Sequence, residues 1–182
     1  MQEKTIHSQI AFKGRFLTLE QLDIELEDGR KGYREIIRHP GAIGVVARLD
    51  GDRFVLVQQY RKAVEAVMTE VVAGLLDPGE DPVDAAHREL AEETGYSARS
   101  LVHLGTLYAS PGYVDERVEI YLAELDPVPQ ATRFDHDERV ATVIWSRAEW
   151  ATAIRNGVIR DAKTLAAWAM LIEYERAGGA AS

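Results

Sequence analysis

Glu89, Glu92 and Glu93 place three carboxylates within five positions of the chain. On an α-helix Glu89 shares a face with Glu92 at i+3 and with Glu93 at i+4, so like-charge repulsion is built in. Hard divalent cations that take oxygen ligands, Mg2+ or Mn2+, are the natural compensation. An isolated acidic triplet is ordinarily a solvated helix face, and the residues around this one decide against that. Gly74 is followed after five residues by Glu80, and Glu80 after seven by Arg88-Glu89-Leu90, with Glu92-Glu93 and Gly95-Tyr96 close behind.

The helix that must position these groups can be read from its ends. Asp81 suits an N-cap and Pro82 the first helical position, where a missing N–H costs nothing. Gly95 supplies the left-handed residue that stops the helix. Val83, Ala86 and Leu90 form an apolar stripe that anchors it on a sheet and turns the acidic face toward a cleft. Arg88 lies four residues from both Asp84 and Glu92, a spacing for intrahelical ion pairs worth a few tenths of a kcal/mol. Its expected role is to orient the carboxylates.

Around that helix the chain reads as strands first and helices last. Leu17–Glu27 alternates and, across the Asp28-Gly29 turn, meets Tyr33–Arg38 in an N-terminal antiparallel hairpin. Its free edge must pair with the same chain's sheet or with a second subunit. Ala42–Leu49, Phe54–Gln59, Thr69–Ala73, Leu101–Tyr108, Arg117–Leu125 and Val140–Trp145 are strand candidates. Ser146 and Glu149 make a capping box for a helix ending near Asn156-Gly157. Asp161 caps a last helix whose Leu165, Trp168 and Ile172 are core or interface residues. This order describes an α+β fold with a mixed sheet between helices.

At 182 residues and 46% apolar content the chain suits one sizeable core. A net charge of −9 argues against nucleic acid or an anionic membrane as partner, since both call for a basic field. The absence of cysteine rules out disulfides and thiolate metal sites and fits a reducing cytoplasm. No leader-like segment and no membrane-length apolar run is seen, so a soluble cytoplasmic protein is expected.

The run from Gly74 to Tyr96 resembles the Nudix hydrolase signature without a gap, Tyr96 standing where the family usually has an aliphatic residue. With Gly and each charged type at roughly 6–7% of residues, its seven fixed matches arise by chance on the order of once in a million such chains. The resemblance, over about residues 38–175, implies the Nudix α/β/α sandwich. Residues 1–40 are then an added hairpin region that forms a homodimer, 41–176 the hydrolase domain, and 177–182 a flexible tail. It also implies Mg2+-dependent hydrolysis of a nucleoside diphosphate derivative. Glu89 and Glu93 would be direct metal ligands, with Glu92 and the Ala73 carbonyl contributing and Glu80 supporting them.

Farther along, Pro111-Gly112 lies 16 residues beyond Gly95 and is followed by Asp115-Glu116. By itself the dipeptide is a tight turn; its offset resembles the ADP-ribose pyrophosphatase branch of the family. In that branch Arg38 and Arg61 would grip the substrate phosphates. Phe16 and Tyr33 would stack the adenine, from the same or the second subunit of a dimer, although hairpin aromatics are more often core. The base that takes the proton from water would be Glu138, on the loop Phe134–Arg139, with Asp137, Asp135 and Glu93 as alternatives; His136 between them is an ordinary exposed histidine. The expected reaction is ADP-ribose to AMP and ribose 5-phosphate. A GDP- or UDP-hexose substrate and a non-catalytic ligand-binding regulator stand as alternatives.

Overall fold

The structure is a computed structural model that describes residues 2–130 and 140–179. They form two compact units, one comprising the residues up to Gly41 with Tyr108–Arg117, the other Ala42–Leu107 and the described residues from Val118 onward.

The larger unit is built on strands β4 (Ala42–Asp50), β5 (Arg53–Arg61), β6 (Ala66–Glu70), β7 (Val72–Leu75), β8 (Ala98–Tyr108), β9 (Arg117–Leu125) and β10 (Val140–Ser146). The sheet runs β10-β5-β4-β9-β8, with β6 on β5 and β7 on β4. β4 and β9 are parallel, whereas β4 pairs antiparallel with both β5 and β7. Along one edge β4 gives Ala47 to Asp50 to β5 and Ala42 to Val45 to β7. The segment Thr69–Ala73, expected as one strand, is therefore two. It leaves β5 after Glu70 and joins β4 at Val72, with Val71 as the crossing point.

Alternation sends successive β4 and β9 side chains to opposite faces. Ile43, Val45, Ala47, Tyr121 and Ala123 pack with Ala85, Ala86 and Leu90 of helix α1 (Pro82–Thr94). Val46, Ile120, Leu122 and Phe54 pack with Trp150, Ala167 and Leu171 of helices α2 (Arg147–Arg155) and α3 (Ala162–Arg176). Burying Leu90 alone is worth about 1.5–3 kcal/mol. Tyr96 is buried in the α1 layer, behind the helix.

The helix ends follow from local residues. The Asp81 carboxylate accepts from the Val83 N–H at 2.8 Å, Pro82 opens α1, and Gly95 ends it at φ 74°. The Ser146–Glu149 capping box opens α2, and Asp161 caps α3. One expected packing position is corrected. Val83 is exposed, because burial begins only at Ala85, one turn into α1. On α3 the buried positions are Thr164, Ala167 and Leu171, Trp168 packs against that core, and Leu165 is exposed.

The smaller unit holds a separate antiparallel sheet, β1 (Glu3–Lys13), β2 (Thr18–Leu26) and β3 (Lys31–Arg38). The expected hairpin is β2–β3, turning at Gly29. β1 was not expected. It pairs with β2 through two irregularities and is exposed along its whole length.

Gly95 gives the fold a direct test. A Cβ there would combine a positive φ with an approach of 2.2 Å to the Gln130 carbonyl oxygen, whereas at Gly51 nothing lies within 4 Å. Gly95→Ala is expected to cost about 1–3 kcal/mol, and Gly51→Ala to stay within about 0.5 kcal/mol, both read from urea unfolding.

Candidate active site

Strand β7 is the floor of the site. Its Ala73 and Gly74 face Gly44 and Ile43 of β4. A side chain on Gly74 would sit 1.9 Å from the Glu89 carboxylate, so only glycine lets Glu89 lie against this backbone. The Ala73 N–H donates to Glu93 Oε2 at 3.3 Å. Glu89 and Glu93 of α1 thus meet the β7 backbone at two adjacent residues.

Arg88 keeps the acidic face together. Its Nε and Nη2 donate to the two oxygens of Glu80, each at 2.8 Å, and Nη2 also reaches the Leu75 carbonyl at 3.1 Å. Its Nη1 donates to Glu89 at 2.6 Å and to Glu92 at 3.3 Å. The intrahelical pair with Glu92 forms; among the described residues no pair with Asp84 does, because the bidentate grip on Glu80 is the better geometry. The Arg88 guanidinium, with a further hydrogen bond from the Asp77 N–H, lowers the Glu80 carboxyl from its ordinary 4.5 to about 2. Glu80 in turn raises Arg88 well above the usual guanidinium range.

The carboxylates sit in different surroundings. Glu93 is 5% exposed, while the Glu92 side chain is 43% exposed. Among the described residues no three carboxylate or imidazole side chains converge as a closed metal cage. The donor set beside β7 nevertheless fits a hard divalent cation: it is all oxygen, it carries net negative charge, and Gly74 leaves the space that brings Glu89 to the strand beside Ala73.

Arg61, at the end of β5, is gripped by Glu70 of β6 through Nε at 2.9 Å and Nη2 at 2.8 Å. Glu70 holds the Arg61 guanidinium above its ordinary value, and the charges of Glu93 and Asp161 add to the effect. Nothing in the sequence singled out Glu70 or Lys163, which pairs with it. The nearest signal was the N-cap Asp161 two residues before Lys163.

The remaining expected residues belong to the smaller unit. Arg38 donates from Nε to Glu20 at 2.6 Å and from Nη1 to Asp115 at 3.0 Å. Pro111 and Gly112 form an exposed turn closed by the Tyr113 and Val114 N–H groups on the Ser110 carbonyl. The turn leads into a bridge between Val114 and Ile37 of β3. Phe16 is exposed with its ring edge-on to His39, and Tyr33 is exposed on β3. Glu138, Asp137, Asp135 and His136 lie outside the described residues.

Residues 37–168 match the family model described as NUDIX domain. An ADP-ribose pyrophosphatase of Bacillus subtilis is 38% identical over 165 residues, spanning 90% of this chain and 89% of the relative. A methanol dehydrogenase activator of Bacillus methanolicus is 40% identical, spanning 91% of this chain and 90% of that one. A crystal structure of an ADP compounds hydrolase superposes with a TM-score of 0.85 at 25% identity, covering 98% of this chain and 97% of the other.

The Glu80–Arg88 clamp carries a pH signature. A carboxyl whose folded pKa is about 2 against an ordinary 4.5 stabilises the folded state fully above pH 4.5 and loses that contribution as the pH falls toward 2. The gap in thermal unfolding midpoint between the wild type and Glu80→Gln is therefore expected to be widest at and above pH 5 and to close on acidification. A gap independent of pH would contradict the clamp.

Proposed function

The chain belongs to the Nudix family, and from that premise we propose that it hydrolyses the diphosphate of a nucleoside diphosphate sugar, ADP-ribose giving AMP and ribose 5-phosphate. The observation that carries the reading is the convergence of Glu89 and Glu93 on Ala73 and Gly74 of β7. The near full-length likeness to relatives named for ADP-ribose and ADP compounds supports the substrate.

Glu89, Glu93 and the Ala73 carbonyl would hold Mg2+, with Mn2+ as a substitute and Glu92 as a further oxygen donor. When bound there, the ion neutralises charge on the phosphate oxygens and lowers the pKa of water. The chain's own residues do the rest. Arg88 and Glu80 keep the ligand carboxylates in register, so little reorganisation is left for the moment of reaction. A carboxylate takes a proton from water as its oxygen attacks one phosphorus. The bridging P–O bond breaks, and the other phosphate departs with the bridging oxygen. Glu138 is proposed as that base, with Asp137, Asp135 and Glu93 as alternatives. No protein nucleophile is required.

Arg61 and Arg38 are proposed as phosphate contacts, since a guanidinium presents paired donors to phosphate oxygens. Phe16 and Tyr33 are proposed to stack the nucleobase, and Pro111-Gly112 to contribute to the substrate site. Homodimerisation is proposed through the smaller unit, because β1 is an exposed edge strand that shows Ile6, Ile10 and Phe12 to solvent. No helix among the described residues is long and apolar enough to cross a membrane. A cytoplasmic setting is proposed on the cysteine-free composition.

The test is metal dependence with a ligand variant beside it. Turnover of ADP-ribose is expected to vanish with chelator and return with Mg2+ or Mn2+. Glu93→Gln gives up charge stabilisation worth several kcal/mol, which at 1.4 kcal/mol per decade lowers kcat by roughly 10²–10³-fold. Chelator-insensitive hydrolysis, or near-normal turnover in a folded Glu93→Gln variant, would reject the mechanism.

A further inference from the structure

Glu70 is 1% exposed, and its two oxygens are taken by cations from two different elements. Arg61 of β5 occupies both oxygens through Nε and Nη2. Lys163, in the first turn of α3, donates its Nζ to Oε2 of the same carboxylate. Lys163 also reaches Asp161 Oδ1 at 3.1 Å.

Asp161 is itself satisfied by α3. Its Oδ2 accepts from the Thr164 N–H at 2.9 Å and from Thr164 Oγ1 at 2.6 Å. Thr164 Oγ1 in turn accepts the Val71 N–H at 3.0 Å. Val71 is where the chain crosses from β6 to β7, two residues before Ala73. The first turn of α3 therefore holds both the strand crossing that leads into β7 and the carboxylate that grips Arg61.

Lys163 is a second cation on Glu70 and shares that carboxylate's charge with Arg61, while Asp161, paired with Lys163, balances the four groups to zero. The geometry is what sets Arg61 apart. A guanidinium has five N–H donors. Gripped through Nε and Nη2, its plane is fixed, and both Nη1 hydrogens are unused by the contacts among the described residues. The charge of Glu93 acts on this same guanidinium.

We infer that Lys163 and Glu70 are positioning residues for Arg61, fixing the plane of its guanidinium as the contact for a substrate phosphate. This rests on the reading that the site takes a nucleoside diphosphate. Helix α3, on the sheet face opposite the acidic helix, thereby becomes part of phosphate recognition through a relay of three side chains. Glu70 requires no contact with substrate, and neither does Lys163.

The experiment compares wild type, Lys163→Met and Lys163→Arg in three readouts: kcat and KM for ADP-ribose, the dissociation constant of AMP by calorimetry, and the Mg2+ activation constant. Lys163→Met is expected to raise KM and the AMP dissociation constant about tenfold, the size of one charge-assisted hydrogen bond. Its kcat is expected to fall much less, its Mg2+ constant to stay put, and Lys163→Arg to restore both affinities. Unchanged AMP affinity in Lys163→Met overturns the inference. So does an affinity loss that tracks a fall in unfolding midpoint and is not restored by arginine, the signature of a structural role only. Wild type that turned over no nucleoside diphosphate sugar would reject the functional reading instead, and the AMP comparison would still decide the positioning role.

Discussion

Repulsion among the carboxylates of α1 is the constraint around which the rest of the structure is arranged. Glu89, Glu92 and Glu93 cannot share a helix face at neutral pH without compensation. Arg88 supplies part of it, bridging Glu89 and Glu92 while Glu80 fixes its other edge. The backbone supplies another part, with the Ala73 N–H donating to Glu93 and Gly74 giving Glu89 room against β7. What remains is a net negative, all-oxygen surface, and that residual charge is what a divalent cation would satisfy. The helix ends at Asp81 and Gly95 matter because they fix which residues of α1 meet that strand.

The sheet is built to bring β7 there. β4 is shared lengthwise between β5 and β7, so one segment must leave β5 and cross to β4 at Val71. A crossing residue has no ladder partner for its N–H, and a buried unpaired donor costs about 1–3 kcal/mol. Thr164 of α3 accepts that N–H. Each face of the sheet thus contributes to the site. The α1 face carries the carboxylates, and the α3 face pins the strand switch that leads into β7 and, through Lys163 and Glu70, the Arg61 guanidinium.

What could be read from sequence was what depends on neighbours along the chain. Asp81, Pro82 and Gly95 bound α1 because capping is local, and the Ser146–Glu149 box opens α2 for the same reason. That Glu89 and Glu93 share one face of α1 was legible from their spacing, whereas Ala73 beside them was suggested only by the resemblance to the family signature. The split of Thr69–Ala73 into β6 and β7 was not, since a change of pairing partner leaves no mark on alternation. Nor was the Glu70–Lys163 contact, which joins residues 93 apart. β1 escaped because only Ile6, Ile10, Ala11 and Phe12 among its eleven residues are apolar, too few for a strand pattern. Val83 was misplaced because periodicity gives a helix's face but not the turn at which packing starts.

The measurement that bears most directly on the central claim is kcat/KM, with product identification, for Mg2+-dependent hydrolysis across ADP-ribose, ADP-glucose, UDP-glucose, GDP-mannose, diadenosine polyphosphates and oxidised nucleotides. The account predicts a clear preference for ADP-ribose, with AMP and ribose 5-phosphate as products. A preference for another sugar nucleotide would leave the carboxylate chemistry in place and remove the substrate assignment. Binding of these compounds with no turnover of any of them would contradict the account at its centre.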